Sequence, residues 1–306
     1  MVNQDYLHYP HRRAGLDHEL FHVRRLKHAP GLRWGNGKSL ALNITVGVDH
    51  YPMDMTGKPF MPVGGLTRPY PDIWNYCTRD YGNRVGLYRV MRVLSELGLK
   101  ATAYVNSAVG ERYPVLLKDL VASGWEIAAA GIDMGQLHHG GLALETEREM
   151  VRQSVGTLRG FVGDALKGWH SPAYSESLNT PALVAEAGLT YIADWVNDDM
   201  PYRMTTSSGS LVSLPLAYEL SDKRILFEQN QSLASFEHQV LASYRVLKGE
   251  SAPDRARVLS LSLSPWVIGQ PYRIKALRRV LTTITQDADV FCATGSELVA
   301  ALAPQL

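Results

Sequence analysis

Trp125-Glu126-Ile127-Ala128-Ala129-Ala130-Gly131 and Leu259-Ser260-Leu261-Ser262-Leu263-Ser264-Pro265-Trp266 are the two segments that most clearly imply the architecture of this chain. Each is a short apolar run that ends in a Gly or Pro turn, the pattern of a buried strand. Working outward, further runs of strand length lie at 39–48, 101–105, 167–169, 191–194, 210–214 and 290–292. Helix-like spacing separates most of them. At 84–94 apolar residues recur about every 3.6 positions before the stop at Gly98; 142–162, 180–187, 236–247, 272–284 and 296–302 behave alike. Strands alternating with helices imply parallel βαβ units, hence a barrel or a doubly wound sheet. No Gly-x-Gly-x-x-Gly or Gly-x4-Gly-Lys-Ser/Thr phosphate loop follows any strand, which favours the barrel. In a barrel the C-terminal strand ends face the active site. Both quoted runs end there in small, chemically weak residues, Ala130 and Ser264.

The chain has 306 residues, 45% hydrophobic and 20% charged, enough for a substantial core in one large α/β domain or in two ordinary ones. A net charge of +1 gives no electrostatic footprint for nucleic acid or an anionic membrane. Cys77 and Cys292 are far apart, so neither a disulfide framework nor a cysteine metal cluster is expected. The polar first 13 residues lack the apolar core of a signal peptide, and no stretch approaches the roughly 20 apolar residues that span a bilayer. A cytoplasmic protein is expected. Residues 1–38, rich in His, Arg and Pro, read as an N-terminal arm wrapping the domain or a partner subunit, and 39–306 as a single barrel domain. Residues 52–81, with Pro59, Pro62, Gly64, Gly65, Pro69 and Pro71, read as a long loop covering a site.

Candidate chemistry lies just past the strand ends: Asp49-His50-Tyr51, Asn106-Ser107, Asp133, His170, Asp194 with Asn197-Asp198-Asp199, and Ser264-Pro265-Trp266. Carboxylates, a histidine and amides converging from separate strands suit hydrolysis of a polar small molecule. A base activates water while positioned donors stabilise the oxyanion. Each residue also has a plain structural role open to it: Asp194 and Asp199 as caps, Asn197-Asp198 as turn formers before Pro201, Trp266 as rim packing. His18-Glu19-Leu20-Phe21-His22 matches the zinc motif His-Glu-x-x-His, but it sits in a polar arm flanked by Arg24, Arg25 and Lys27. No nearby carboxylate follows to act as third ligand, so the match reads as coincidence. His138-His139 is weaker still, because adjacent side chains diverge.

Four motifs together resemble the polysaccharide deacetylase superfamily (the NodB-homology, carbohydrate esterase family 4 type), and within it the allantoinase-like and cyclic-imide-hydrolase-like branch. They are Arg79-Asp80-Tyr81-Gly82-Asn83-Arg84-Val85-Gly86, Gly168-Trp169-x-Ser171-Pro172, Asp194-Trp195-Val196-Asn197-Asp198-Asp199-x-Pro201-Tyr202 and Pro265-Trp266-x-Ile268-Gly269-Gln270-Pro271-x-Arg273. The resemblance implies an α/β fold, a distorted (β/α)7 barrel, and hydrolysis of a carbon–nitrogen bond in an acetamide, a ureide or a cyclic imide. It implies that Asp49 is the base, that Ala130 and Met134 stand near the family's metal-binding histidines, and that Ser264 replaces a late histidine. His170-Ser171-Pro172 stands at the motif written Arg-x-Pro, and Asp194 keeps its acidic position. A lone carboxylate with alanine and methionine does not hold a divalent ion tightly. No cofactor or metal is therefore expected. Asp49, His170 and Asp194 are expected to carry catalysis, and His50, Asp133, Asn197, Asp198, Ser264 and Trp266 to contact substrate. The partners expected are a small molecule and further copies of the chain in a homo-oligomer, with no nucleic acid and no membrane. Two alternatives stay open: a catalytically inactive barrel that binds a small ligand or supports a partner subunit, and a relocated metal site on Asp49, His50 and His170.

Overall fold

A nine-residue strand with only one residue short of full burial, β1 (Leu40–Val48), is the axis of the molecule. The computed structural model describes residues 18–22, 25–28, 30–53 and 71–306. After β1 come α1 (Ile73–Tyr81), a π-helical turn (Gly82–Gly86), α2 (Leu87–Glu96), β2 (Thr102–Val105), α3 (Ser107–Arg112) and α4 (Pro114–Ala122). Next are β3 (Glu126–Ala129), α5 (Leu144–Val162), β4 (Gly168–Trp169), α6 (Thr180–Glu186), β5 (Tyr191–Ile192), β6 (Tyr202–Thr206) and β7 (Gly209–Ser213). A second π-helical turn (Lys223–Glu228), α7 (Leu233–Glu250), β8 (Arg257–Leu263), α8 (Pro265–Ile268), α9 (Ile274–Thr285), β9 (Val290–Cys292) and α10 (Gly295–Leu302) complete the order.

The nine strands form one sheet with the path β6-β7-β5-β4-β3-β2-β1-β8, and β9 pairs with β1. Every pairing is parallel except the β6–β7 hairpin. The register Leu40↔Arg257 through Val46↔Leu263 places the quoted serine run beside β1. Period-2 alternation then sorts the side chains. Leu40, Leu42, Ile44, Val46, Leu259, Leu261 and Leu263 pack outward against the helices. Asn43, Thr45, Ser260 and Ser262 share the inner face, where Thr45 Oγ1 donates to Ser262 Oγ at 2.9 Å and Asn43 Nδ2 to Ser260 Oγ at 3.4 Å. Small inner residues leave the mouth of this curled barrel open. Tyr104, Tyr191, Leu32 and Trp34 belong to a second buried cluster together with Ala41, Ala128 and Val258.

The strands and most helices lie where the alternation placed them. Three corrections stand. The stretch expected as a loop over 52–81 contains α1, whose Asp72 N-cap accepts from Asn75 N at 3.0 Å; its 54–70 portion lies outside the described residues. α3 and α4 were not foreseen, because they are short and follow directly on β2. Nor was β6, an antiparallel edge strand whose burial alternates with exposure. In the arm, residues 18–22 form bends rather than a helix; Leu20 O accepts from Thr205 N at 2.7 Å, and the His18 ring lies 5.0 Å from that of Trp195. The rest of residues 1–17 lies outside the described residues.

The two outer glycines of the π-helical turn have ordinary helical φ values, so conformational freedom is not their purpose. A Cβ on Gly86 would come 2.1 Å from Pro265 O, and one on Gly82 2.9 Å from Trp266 N. Both opposing atoms are backbone and cannot yield as a side-chain tip would. Gly86→Ala gains helix propensity of at most about 1 kcal/mol, whereas forced overpacking costs about 1–3 kcal/mol. The clash wins. Urea unfolding of Gly86→Ala should show a lower midpoint with an unchanged slope.

Candidate functional site

Asp49 follows directly on β1 and is pinned from two sides. Its carbonyl accepts from Asn83 Nδ2 at 2.8 Å, a contact supplied by the π-helical turn. The next amide, His50 N, donates to Asn106 Oδ1 at 2.8 Å, and Asn106 Nδ2 also donates to Ala130 O. Asn106 thus ties the ends of β1 and β3. Below them the Arg79 guanidinium lies between two rings, 4.8 Å from the centroid of Tyr51 and 4.9 Å from that of Trp266. Arg79 Nη1 donates to Asn75 Oδ1 at 2.7 Å.

The Asp49 carboxyl opens on a small cavity, about 90 Å³, that it shares with Tyr104, His170, Tyr174, Lys223 and Ser264. Ala130 and Met134 line it as well. Burial pushes the Asp49 carboxyl above its ordinary value, against the opposing pull of Lys223, His170 and Arg79.

His170 Nδ1 lies 2.7 Å from Asp194 Oδ1, which also accepts from Ser171 N at 2.6 Å. This leaves Nε2 as the ring nitrogen for the cavity. The ring is held edge-on by Tyr174, centroids 4.5 Å apart. Tyr174 and its neighbour Ala173 adopt left-handed backbone, φ 58° and 56°, a conformation costing a non-glycine residue roughly 1–2 kcal/mol. Such strain gathers where a ligand or reacting group must be held in place.

Behind this pair stands Glu176. Burial first, then the negative charge of Asp194 and a hydrogen bond to it, pushes the Glu176 carboxyl up to about 10. Glu176 is therefore protonated at neutral pH and donates to Asp194. For Asp194, burial acts upward, but the His170 contact and the Glu176 and Ser171 hydrogen bonds outweigh it and hold the carboxyl below its usual value. A carboxylic acid, a carboxylate and an imidazole form one row.

Of the residues read from the sequence, Asp49, His170 and Ser264 line the cavity, and Asp194 backs it. The other expected substrate contacts are engaged elsewhere. His50 is buried beside the cavity wall, with its carbonyl accepting from Met134 N at 2.9 Å. Asp133 caps its own turn through Gly135 N at 2.8 Å. Asn197 Oδ1 accepts from Tyr202 OH at 2.9 Å, Asp198 Oδ1 accepts from Met200 N at 3.0 Å, and Trp266 packs on Arg79 and Phe227. His138 sits off the cavity, its Nδ1 3.1 Å from Glu147 Oε1. Lys223, Glu176 and Tyr174 were missed. Tyr174 and Glu176 follow the Ser171-Pro172 turn, and no motif or strand end marks Lys223.

A divalent ion beside Asp49 does not fit this donor set. Beside Asp49 the cavity wall offers an alanine methyl and a thioether at Ala130 and Met134, and among the described residues no three His, Cys, Asp or Glu side chains gather as a metal would require.

The sequence profile of the polysaccharide deacetylase family matches residues 69–192. A putative polysaccharide deacetylase of Schizosaccharomyces pombe is 22% identical over 240 residues, 72% of this chain and 74% of that protein. The crystal structure of a putative polysaccharide deacetylase from Mycobacterium smegmatis superposes with a TM-score of 0.75 at 25% identity, covering 90% of this chain and 94% of that one. An allantoinase crystal structure shares the fold, with a TM-score of 0.82 at 19% identity over 93% of this chain and 98% of that one.

The protonated glutamate has a consequence for stability. An unfolded glutamate ionises near pH 4.3, whereas the folded one keeps its proton to about pH 10. The folded state binds the extra proton throughout that window, so stability falls as pH rises across it. Glu176→Gln, which mimics the protonated acid, should flatten the decline in melting temperature between about pH 5 and 9. An equal decline in wild type and variant would show that Glu176 is ionised.

Proposed function

Because the chain carries a polysaccharide deacetylase domain, we propose that it is a hydrolase of a carbon–nitrogen bond in a small amide, ureide or cyclic imide, working without a metal ion. The observation that supports this reading is the meeting of a raised-pKa carboxyl, Asp49, and a carboxylate-backed imidazole, His170, in one cavity of small-molecule size.

In this reading Asp49 takes a proton from water, and the oxygen attacks the carbonyl carbon. The carbonyl π pair moves onto oxygen. The tetrahedral intermediate collapses by breaking the C–N bond as His170 Nε2–H protonates the departing nitrogen. Asp194 keeps the imidazole oriented and stabilises its charged form. The products are a carboxylate and an amine or amide, with the proton from Asp49 restoring the acid. A polymer needs an open groove, so the small cavity favours a small substrate.

The test is turnover of a panel of hydantoin, succinimide, allantoin and N-acetylated amines. Asp49→Asn and His170→Ala should each lower kcat/KM by about 10²–10⁴-fold. The working form of Asp49 is the carboxylate, which is lost as pH falls through its raised pKa. The acid limb of kcat/KM should therefore lie above the ordinary carboxylate value of about 3.9 and vanish in Asp49→Asn. No turnover on any substrate, with a small ligand retained in the cavity, would instead mark a binding barrel.

A further inference from the structure

Lys223 is the one lysine side chain among the residues lining the cavity, and neither a motif nor a strand end announced it. We infer that its ammonium is a catalytic group, the cation that stabilises the oxyanion; the inference rests on the hydrolase reading above.

Three features of the fold support it. The first is anchoring. Lys223 opens a π-helical turn whose start is fixed by Asp222: Oδ1 accepts from Lys223 N at 2.7 Å and from Ser264 N at 2.8 Å, and Oδ2 from Ile268 N at 3.1 Å. The lysine backbone is thereby locked to the end of β8, across the cavity mouth. The second is orientation. Glu228 Oε1 lies 3.6 Å from Nζ, close enough to hold the charge in place. Glu228 is itself held by Tyr218 OH at 2.6 Å. The third is position relative to the base. Of the cations around Asp49, Lys223 acts on its carboxyl most strongly. A group that senses the base this closely also lies near the carbon the base-activated water attacks.

The chemistry is balanced with water as sole co-reactant. As the C=O π pair moves onto oxygen, a full negative charge forms that the neutral ground state lacks. A fixed ammonium binds that charge in the transition state more tightly than it binds the substrate, so it acts on kcat. The lysine keeps its proton throughout and returns to its starting state when the C–N bond breaks.

Lys223→Met keeps the length of the side chain and removes its charge. The expected result is a fall in kcat of about 10²–10³-fold, with KM changed by less than about threefold. A rise in KM with kcat retained would overturn the inference, because the ammonium would then be holding a charge of the substrate itself. So would a plateau rate equal to wild type with only a shifted acid limb, since Lys223 would then merely tune Asp49. As a control on folding, Lys223→Cys treated with bromoethylamine regains an ammonium at the same reach. Recovery of kcat there, with equally treated wild type unchanged, supports the role; no recovery in protein that melts as wild type overturns it. If Asp49→Asn abolishes turnover and Lys223→Met does not, the lysine assignment alone fails. If wild type turns over nothing, the hydrolase reading and the lysine assignment fall together.

Discussion

The mouth of this barrel depends on one carboxylate surrounded by backbone amides. β7 and β8 share no ladder among the described residues, so the curled sheet is not closed by strand pairing. Asp222 does part of that work. Fully buried, it gathers the amides of Lys223, Ser264 and Ile268 onto its two oxygens. Ser260 Oγ reinforces the same seam by donating to Pro215 O at 3.4 Å. Burial pushes the Asp222 carboxyl up to about 7, while the three amides pull the other way. Removing the side chain would leave the Lys223 and Ser264 amides without that acceptor, each a loss of roughly 1–3 kcal/mol, while Ile268 N keeps Ser264 O at 3.1 Å. It would also free the end of β8 from the lysine-bearing turn.

A second constraint sits on the opposite rim. The motif at 79–86 reads in the structure as three separate physical demands. Arg79 must lie between two aromatic faces, Asn83 must reach the Asp49 carbonyl, and Gly82 and Gly86 must admit the backbone of α8. All three converge on the segment that presents Asp49 after β1. Asp49 is thus held through its backbone, whereas His170 is held by its contact with Asp194.

Most of the sheet was legible because a buried parallel strand is written as a continuous apolar run, as β1 and β8 are. What escaped followed other rules. α1 begins after a Pro- and Gly-rich stretch that masks its Asp72 cap, and β6 is an edge strand with no run to mark it. Within the site, Asp49, His170 and Asp194 were legible as residues at strand ends. Asn197, Asp198 and Asp133 carried the same signal but spend their oxygens on local turns or a neighbouring tyrosine. Glu176 and Lys223 could not be found by position. One follows a strained turn and the other opens a π-helical turn in a crossover without periodicity, so only the folded chain brings them to the cavity.

The Glu176 proton changes how the acids of this site are to be counted. Three carboxyl groups stand in and behind the cavity, yet one of them is neutral, and another, Asp194, faces an imidazole rather than the opening. At the cavity wall itself Asp49 is met by Lys223, and Lys223 in turn by Glu228. The wall also carries the hydroxyl groups of Thr45, Tyr104, Tyr174, Tyr218, Ser262 and Ser264, each able both to donate and to accept a hydrogen bond.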